Sequence, residues 1–189
     1  MTAIVIDLEW NYPERGPRKP GLPGEIIQIG AAKITPEGEV LDTYSATIRP
    51  VVYWKLNKDV SELTLIKQAD TDAGISFERA AGELRTWCGE DFAFISWGDA
   101  DTRMLRDNLL YFGLDAAWLP RTYDAQLIFD DYEMQEDRSW PLNYALYHYS
   151  EKPDGQHNAL ADVLSTVLVL RHLDLEEALG DDYFIIEES

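Results

Sequence analysis

The first apolar run, Ala3-Ile4-Val5-Ile6, passes into Asp7-Leu8-Glu9, and its β-branched character predicts a buried strand with acids at its far end. Residues 11–24 hold four prolines and three glycines, a composition that predicts a loop. Glu25 to Ile34 reads as a second strand, Pro36-Glu37-Gly38 as a turn, and Val40 to Arg49 as a returning third strand. Three adjacent antiparallel strands in a meander follow from that spacing. The period then changes. Ser76 suits an N-cap, and Phe77, Ala80, Ala81, Leu84, Trp87 and Cys88 recur at helical spacing behind it. Phe92 to Trp97 reads as a fourth strand and Asp101 to Phe112 as a helix. Arg121 to Asp124 reads as a fifth strand, followed by a helix around Ala125 to Tyr132. Residues 141–149 predict a short helix. Residues 158–172 predict a long one that buries Val163, Leu164, Val167 and Leu168. Three strands followed by alternating helices and strands imply an α/β fold, a mixed sheet flanked by helices. With no linker in sight, residues 1–189 are expected to form one domain, its core spanning about 3–173 and a short tail following.

Composition narrows the class. Hydrophobic residues make up 46% and aromatics 12%, enough for a packed core and against disorder. No apolar run approaches the roughly 20 residues of a membrane span, and the N-terminus lacks a basic stretch of the kind that opens a signal peptide. Cys88 is the only cysteine, so no intrachain disulfide can form, and a cytoplasmic protein is expected. The charge is the unusual feature: 35 acidic against 16 basic residues, a formal net charge of −19. A solubility surface explains it simply. Should the chain handle a polyanion, binding must be local and cation-assisted, and short single strands would be tolerated better than long duplex.

The chemistry resides in four separated acids. Asp7 and Glu9 are two apart on a strand, so both carboxylates project from one face. Taken alone, the pair could simply end the strand at the surface. Asp101 opens a helix directly after the fourth strand. It competes with Asp99 for a functional role, and Leu105 one turn on places it on the helix face beside the sheet. Asp162 stands among Leu160, Val163 and Leu164 on a core-facing helix, where an aspartate needs a partner. At about 5 Å, each like-charge pair costs roughly 3 kcal/mol at an effective dielectric of about 20. Either some of these groups are protonated or cations lie among them, and hard carboxylate oxygens suit Mg²⁺ or Mn²⁺. Two such ions about 3.5–4 Å apart could clamp an in-line phosphoryl displacement. His157, five residues before Asp162, is either a helix-start histidine with no task or a general base taking a proton from the attacking water. His148 and His172 read as structural.

Together these residues resemble a known family. Asp7-Leu8-Glu9, Asp101 at a strand-to-helix junction, and His157-Asn158-Ala159-Leu160-Ala161-Asp162 as H-x-x-x-x-D match the motifs of the DEDDh exonucleases, the DnaQ-like group of the RNase H-like superfamily. The wider set Asp7-Leu8-Glu9-Trp10-Asn11 and Ser96-Trp97-Gly98 is most similar to the stand-alone KapD-type branch. The resemblance covers about residues 3–173. It implies an RNase H-like five-stranded mixed sheet with the second strand antiparallel. It implies two divalent cations held by Asp7, Glu9, Asp101 and Asp162, with His157 as base, and 3′→5′ hydrolysis of single-stranded DNA or RNA ends. One departure stands out. Where the family often has Leu-Thr-Gly-Ile, this chain reads Leu63-Thr64-Leu65-Ile66.

Other positions carry weaker expectations. Trp10 and Asn11 could meet the terminal base and sugar, or Trp10 could pack beneath the 11–24 loop. Arg15, Arg18 and Lys19 could touch phosphates but read more simply as a solvated loop. Asp124 reads as a helix N-cap. Trp140 and Tyr144 read as core. The tail Tyr183-Phe184-Ile185-Ile186 is expected to dock on its own domain, with a monomer and a homodimer both open. Two rival functions remain: a non-catalytic nucleic-acid-binding or scaffold module on the same fold, and a metal-dependent phosphodiesterase acting on small nucleotides.

Overall fold

Alternation along the first strand, β1 (Thr2–Asn11), lays out two cores, one on each sheet face. Ala3 and Val5 point to one side, and Ile4, Ile6 and Leu8 to the other. The structure is a computed structural model that describes residues 1–134, 138–152 and 158–186. β2 (Glu25–Ile34) and β3 (Val40–Thr47) complete the expected meander, β1 pairing antiparallel with β2 and β2 with β3. β4 (Phe92–Ser96) then lies parallel beside β1, and β5 (Thr122–Asp124) parallel beside β4. The sheet order is β3-β2-β1-β4-β5, so β2 alone runs against the others. This is the mixed five-stranded sheet expected.

The helices fall on both faces. α3 (Phe77–Cys88) begins at Ser76, whose Oγ accepts the Arg79 N–H, and it buries Phe77, Ala80, Ala81 and Leu84 against the Ile4/Ile6 face. α4 (Ala100–Tyr111) adds Met104, Leu105 and Leu109 to the same core. The opposite face is covered by α5 (Ala125–Phe129), α6 (Leu142–His148) and α7 (Ala159–Leu170). Each fully buried leucine, isoleucine or phenylalanine there contributes roughly 1.5–3 kcal/mol of burial free energy. α7 departs from expectation in one respect: Val163 and Val167 are buried, but Leu164 is 39% exposed. The buried stripe of α7 is narrower than expected: Leu164 falls outside it, and Leu168 is partly buried at its margin.

Short elements escaped the sequence pattern. α1 (Lys58–Thr64) and α2 (Gln68–Asp72) lie between β3 and α3, and α8 (Leu175–Ala178) lies after α7. At four to seven residues they are held by caps and by contacts with the rest of the fold rather than by their own propensity. The helix predicted to Tyr132 is α-helical to Phe129 and continues as a π-helical turn, Asp130–Met134. The tail adds to the β5 edge, Ile185 bridging Tyr123 and the Ile186 N–H reaching the Thr122 carbonyl at 2.9 Å. No helix of the described residues is long and apolar enough to cross a membrane.

Candidate active site

β1 pairs with β2 along its whole length but with β4 only from Thr2 to Val5. Beyond Val5 the β4-side edge of β1 is therefore open. β4 stops at Ser96 and the chain turns away through Gly98, whose positive φ of 84° suits glycine. The Ser96 hydroxyl donates to the Gly98 carbonyl at 2.7 Å, and the Gly98 N–H donates to Asp124 Oδ1 at 3.0 Å. Asp124 also accepts the N–H groups of Gln126 and Leu127, so it is the N-cap of α5. The turn starts α4 at Ala100, and Asp101 in its first turn fills the open edge. Its Oδ1 accepts the Leu8 N–H at 3.0 Å, and the residue is only 6% exposed. Asp99 faces outward and pairs with Arg103 at 2.9 Å. Asp101, not Asp99, is thus the acid turned to the sheet.

The other wall is set by strand register. Asp7 lies opposite Gly30 and Glu9 opposite Gln28 on β2, and paired residues share a face. Gln28 Oε1 accepts the Ala159 N–H at 2.9 Å, tying the first turn of α7 to the sheet. At Gly30 the helix backbone comes so close that a Cβ would stand 2.4 Å from the Ala159 carbonyl carbon and the Leu160 nitrogen. Only glycine permits that approach. It brings Asp162, in the first turn of α7, onto the carboxylates of β1. Asp7, Glu9 and Asp162 each offer a carboxylate oxygen, and these oxygens lie within 4.8 Å of one another.

The electrostatics follow. Burial, then Asp101, Glu9 and Asp162, push Asp7 well above the usual carboxylate range. Burial, then Asp162 and Asp101, push Glu9 from 4.5 up to about 7. Burial raises Asp101 too, against the pull of the Leu8 N–H and with a further push from Asp162 and Asp99. Among the described residues no lysine or arginine pairs with Asp7, Glu9 or Asp101. A cluster of hard oxygen donors of this kind fits divalent cations such as Mg²⁺ or Mn²⁺, which would stabilise the ionised carboxylates.

Two expected substrate contacts are corrected. Asn11 is fully buried, its Nδ2 donating to the Tyr53 and Lys55 carbonyls and its Oδ1 accepting the Asn57 N–H. It clamps the segment leading into α1, and no polar atom of its side chain remains for a ligand. Trp10, one position past Glu9, alternates to the opposite face of β1. It pairs with Ile26 and joins the core on the face away from Asp7 and Glu9. Its ring packs on Gly24 under the loop. His157 lies outside the described residues. His148 and His172 pair with Glu133 and Glu151 at 3.1 and 2.9 Å. Sequence reading missed the groups that position the site. Besides Gln28 and Gly30 these are Glu25, which accepts the N–H groups of Val51, Val52 and Tyr53, and Asn108, which binds the Ile26 N–H and the Gly24 carbonyl. The available signal was their setting, Glu25 at the head of an apolar strand and Asn108 next to the apolar helix positions Met104, Leu105 and Leu109, since a polar group drawn into a core needs partners.

The family model RNase_T, described as Exonuclease, matches residues 4–170. The chain belongs to this exonuclease family. It is a nuclease, and the likeness to DEDDh exonucleases drawn from its motifs holds. A curated relative, the probable 3′-5′ exonuclease KapD of Bacillus subtilis (strain 168), is 25% identical over 179 residues, covering 93% of this chain and 86% of KapD. Among solved structures, the nuclease domain of 3′hExo, a DEDDh family member bound to rAMP, superposes with a TM-score of 0.79 at 18% identity, covering 100% of this chain and 97% of that one. Cell-death related nuclease 4 (CRN-4) gives 0.77 at 19% identity over 90% of this chain, which spans 62% of CRN-4. At these identities the two structures bear on the fold, and both share it.

Proposed function

We propose that this protein is a divalent-metal-dependent 3′→5′ exonuclease that releases nucleoside 5′-monophosphates from single-stranded DNA or RNA ends. The observation that carries this reading is the convergence of Asp7, Glu9 and Asp162 from two elements, with Asp101 arriving from a third. KapD carries the same polarity in its name, and the 3′hExo domain was solved with a ribonucleotide, which agree with a nucleotide end as substrate.

Two Mg²⁺ or Mn²⁺ ions, when bound, would stabilise charge on the phosphate and lower the cost of ionising the attacking water. Asp7, Glu9 and Asp162 would hold them, with Asp101 assisting. Asp101 also fixes the end of β1 through the Leu8 N–H, so the Asp7 and Glu9 side chains keep one orientation. Asp7 and Glu9 lie beyond the last β1–β4 pairing at Val5, toward the carboxyl ends of the parallel strands, where ligands bind such sheets. His157 directly precedes Asn158, the N-cap of α7, and is the group proposed to accept the proton of the attacking water. A cytoplasmic, membrane-free setting fits the single cysteine.

The test is one assay with 5′-labelled DNA and RNA 10–20-mers, side by side, in Mg²⁺, Mn²⁺ or EDTA. The expected result is a ladder shortening from the 3′ end, abolished by EDTA and by Asp7→Ala with the fold intact. Intact oligomers with wild-type protein and metal would overturn the proposal. Undiminished turnover in His157→Ala would remove the histidine from its role alone. Divalent-ion binding by calorimetry separates the enzyme from a scaffold, which need not bind two ions.

A further inference from the structure

The outer side of α4 borders a cavity of about 440 Å³, apart from the carboxylate cluster. Arg103 and Arg106 reach it from α4, and Arg121 from the residue before β5. Leu119, Ile185 and Ile186 line it with apolar surface, over fully buried Phe94. Three guanidinium groups around one cavity are a marked concentration in a chain with 16 basic and 35 acidic residues. Asp107 is the one acid among the described residues that line it. Arg103 pairs with Asp99 at 2.9 Å and Arg121 with Asp182 at 3.2 Å, and all four side chains are largely exposed. Exposed pairs of this kind hold weakly and yield readily to a stronger anion. The planar fork of arginine matches phosphate oxygens, and the volume falls in the range of roughly 300–1,000 Å³ typical of small-molecule sites. There is room for one nucleotide but not for a duplex.

We propose that this cavity is a second site that binds a nucleoside 5′-monophosphate. The phosphate lies between Arg103 and Arg121, and the base lies against Leu119 and Ile185. The choice of ligand rests on the exonuclease reading, whose product belongs to that class. Asp101 and Arg103 are two residues apart on α4, so an occupied cavity bears on the helix that supplies one of the active-site acids.

Calorimetry on EDTA-treated full-length protein, with AMP and with inorganic phosphate, tests this. AMP is expected to bind at one site, about tenfold more tightly than phosphate because of the apolar wall. Arg103→Gln with Arg121→Gln should weaken AMP about tenfold or more. Asp107→Asn removes a negative charge from the lining and should tighten it, and Asp7→Asn should leave it unchanged. Absence of AMP binding, or equal affinity in the double-arginine variant, overturns the proposal. The latter result would assign the nucleotide to the carboxylate site. The two readings fail separately: AMP binding without oligomer shortening sinks the exonuclease alone, and shortening without this binding sinks the cavity alone.

Discussion

Removing divalent ions should make this fold lose stability as pH rises. Glu9 moves from 4.5 to about 7 on folding, and Asp7 and Asp101 move in the same direction. A raised folded-state pKa means the folded protein holds its proton more tightly than the unfolded chain does. The stabilisation is full below about pH 4.5 and is lost as pH climbs through about 7. For Glu9 alone the shift corresponds to roughly 3 kcal/mol, an upper figure because the side chain keeps some solvent contact. In a chain of this size that is about 6–12 °C in Tm. Metal-free protein should therefore melt several degrees lower at pH 8 than at pH 5, and saturating Mg²⁺ should recover the loss at pH 8 while doing little at pH 5. The net charge of −19 also lowers stability as pH rises, so the decisive comparison is Glu9→Gln. This near-isosteric neutral variant should flatten the pH dependence and melt higher than wild type at pH 8 without metal. A Glu9→Gln protein that follows the wild-type slope would refute the reasoning.

Three further outcomes follow from single contacts. Gly30→Ala places a Cβ 2.4 Å from the α7 backbone and should cost about 1–3 kcal/mol in a denaturant melt while sharply lowering turnover; unchanged values of both would contradict the close-approach argument. Asn11→Ala leaves two carbonyls and one N–H without their partner and should destabilise by about 2–4 kcal/mol, read as a lower urea midpoint; a change below about 1 kcal/mol would return Asn11 to the list of ligand contacts. Leu65 holds a left-handed φ of 61° at the C-cap of α1 and is 72% exposed, so Leu65→Gly should stabilise by up to about 1 kcal/mol, and a fall in Tm would show that the leucine side chain is held by contacts that outweigh its strain.

The acidic residues were legible because their setting is local. Asp7 and Glu9 share a strand face by period two, and Asp101 and Asp162 lie in first turns of helices recognisable from spacing. The misreading of Asn11 came from a non-local effect: a segment more than forty residues on took its side-chain polar atoms. Trp10 stands on the far face by the same alternation that puts Asp7 and Glu9 together, so its place was open to sequence reading. A buried asparagine looks like an exposed one until its partners are placed.

The chain by itself determined the strands, the long helices and which acids are candidates, because periodicity and residue chemistry are properties of neighbours in sequence. Tertiary structure decided that Asp7, Glu9 and Asp162 converge, with Asp101 bonded to the same strand. Gly30 admits α7 to the sheet, Gln28 anchors it, and the early end of β4 opens the edge that Asp101 fills. Those distances arise from packing between segments 131 or more residues apart, so the raised carboxylate pKa values exist only once the fold has formed.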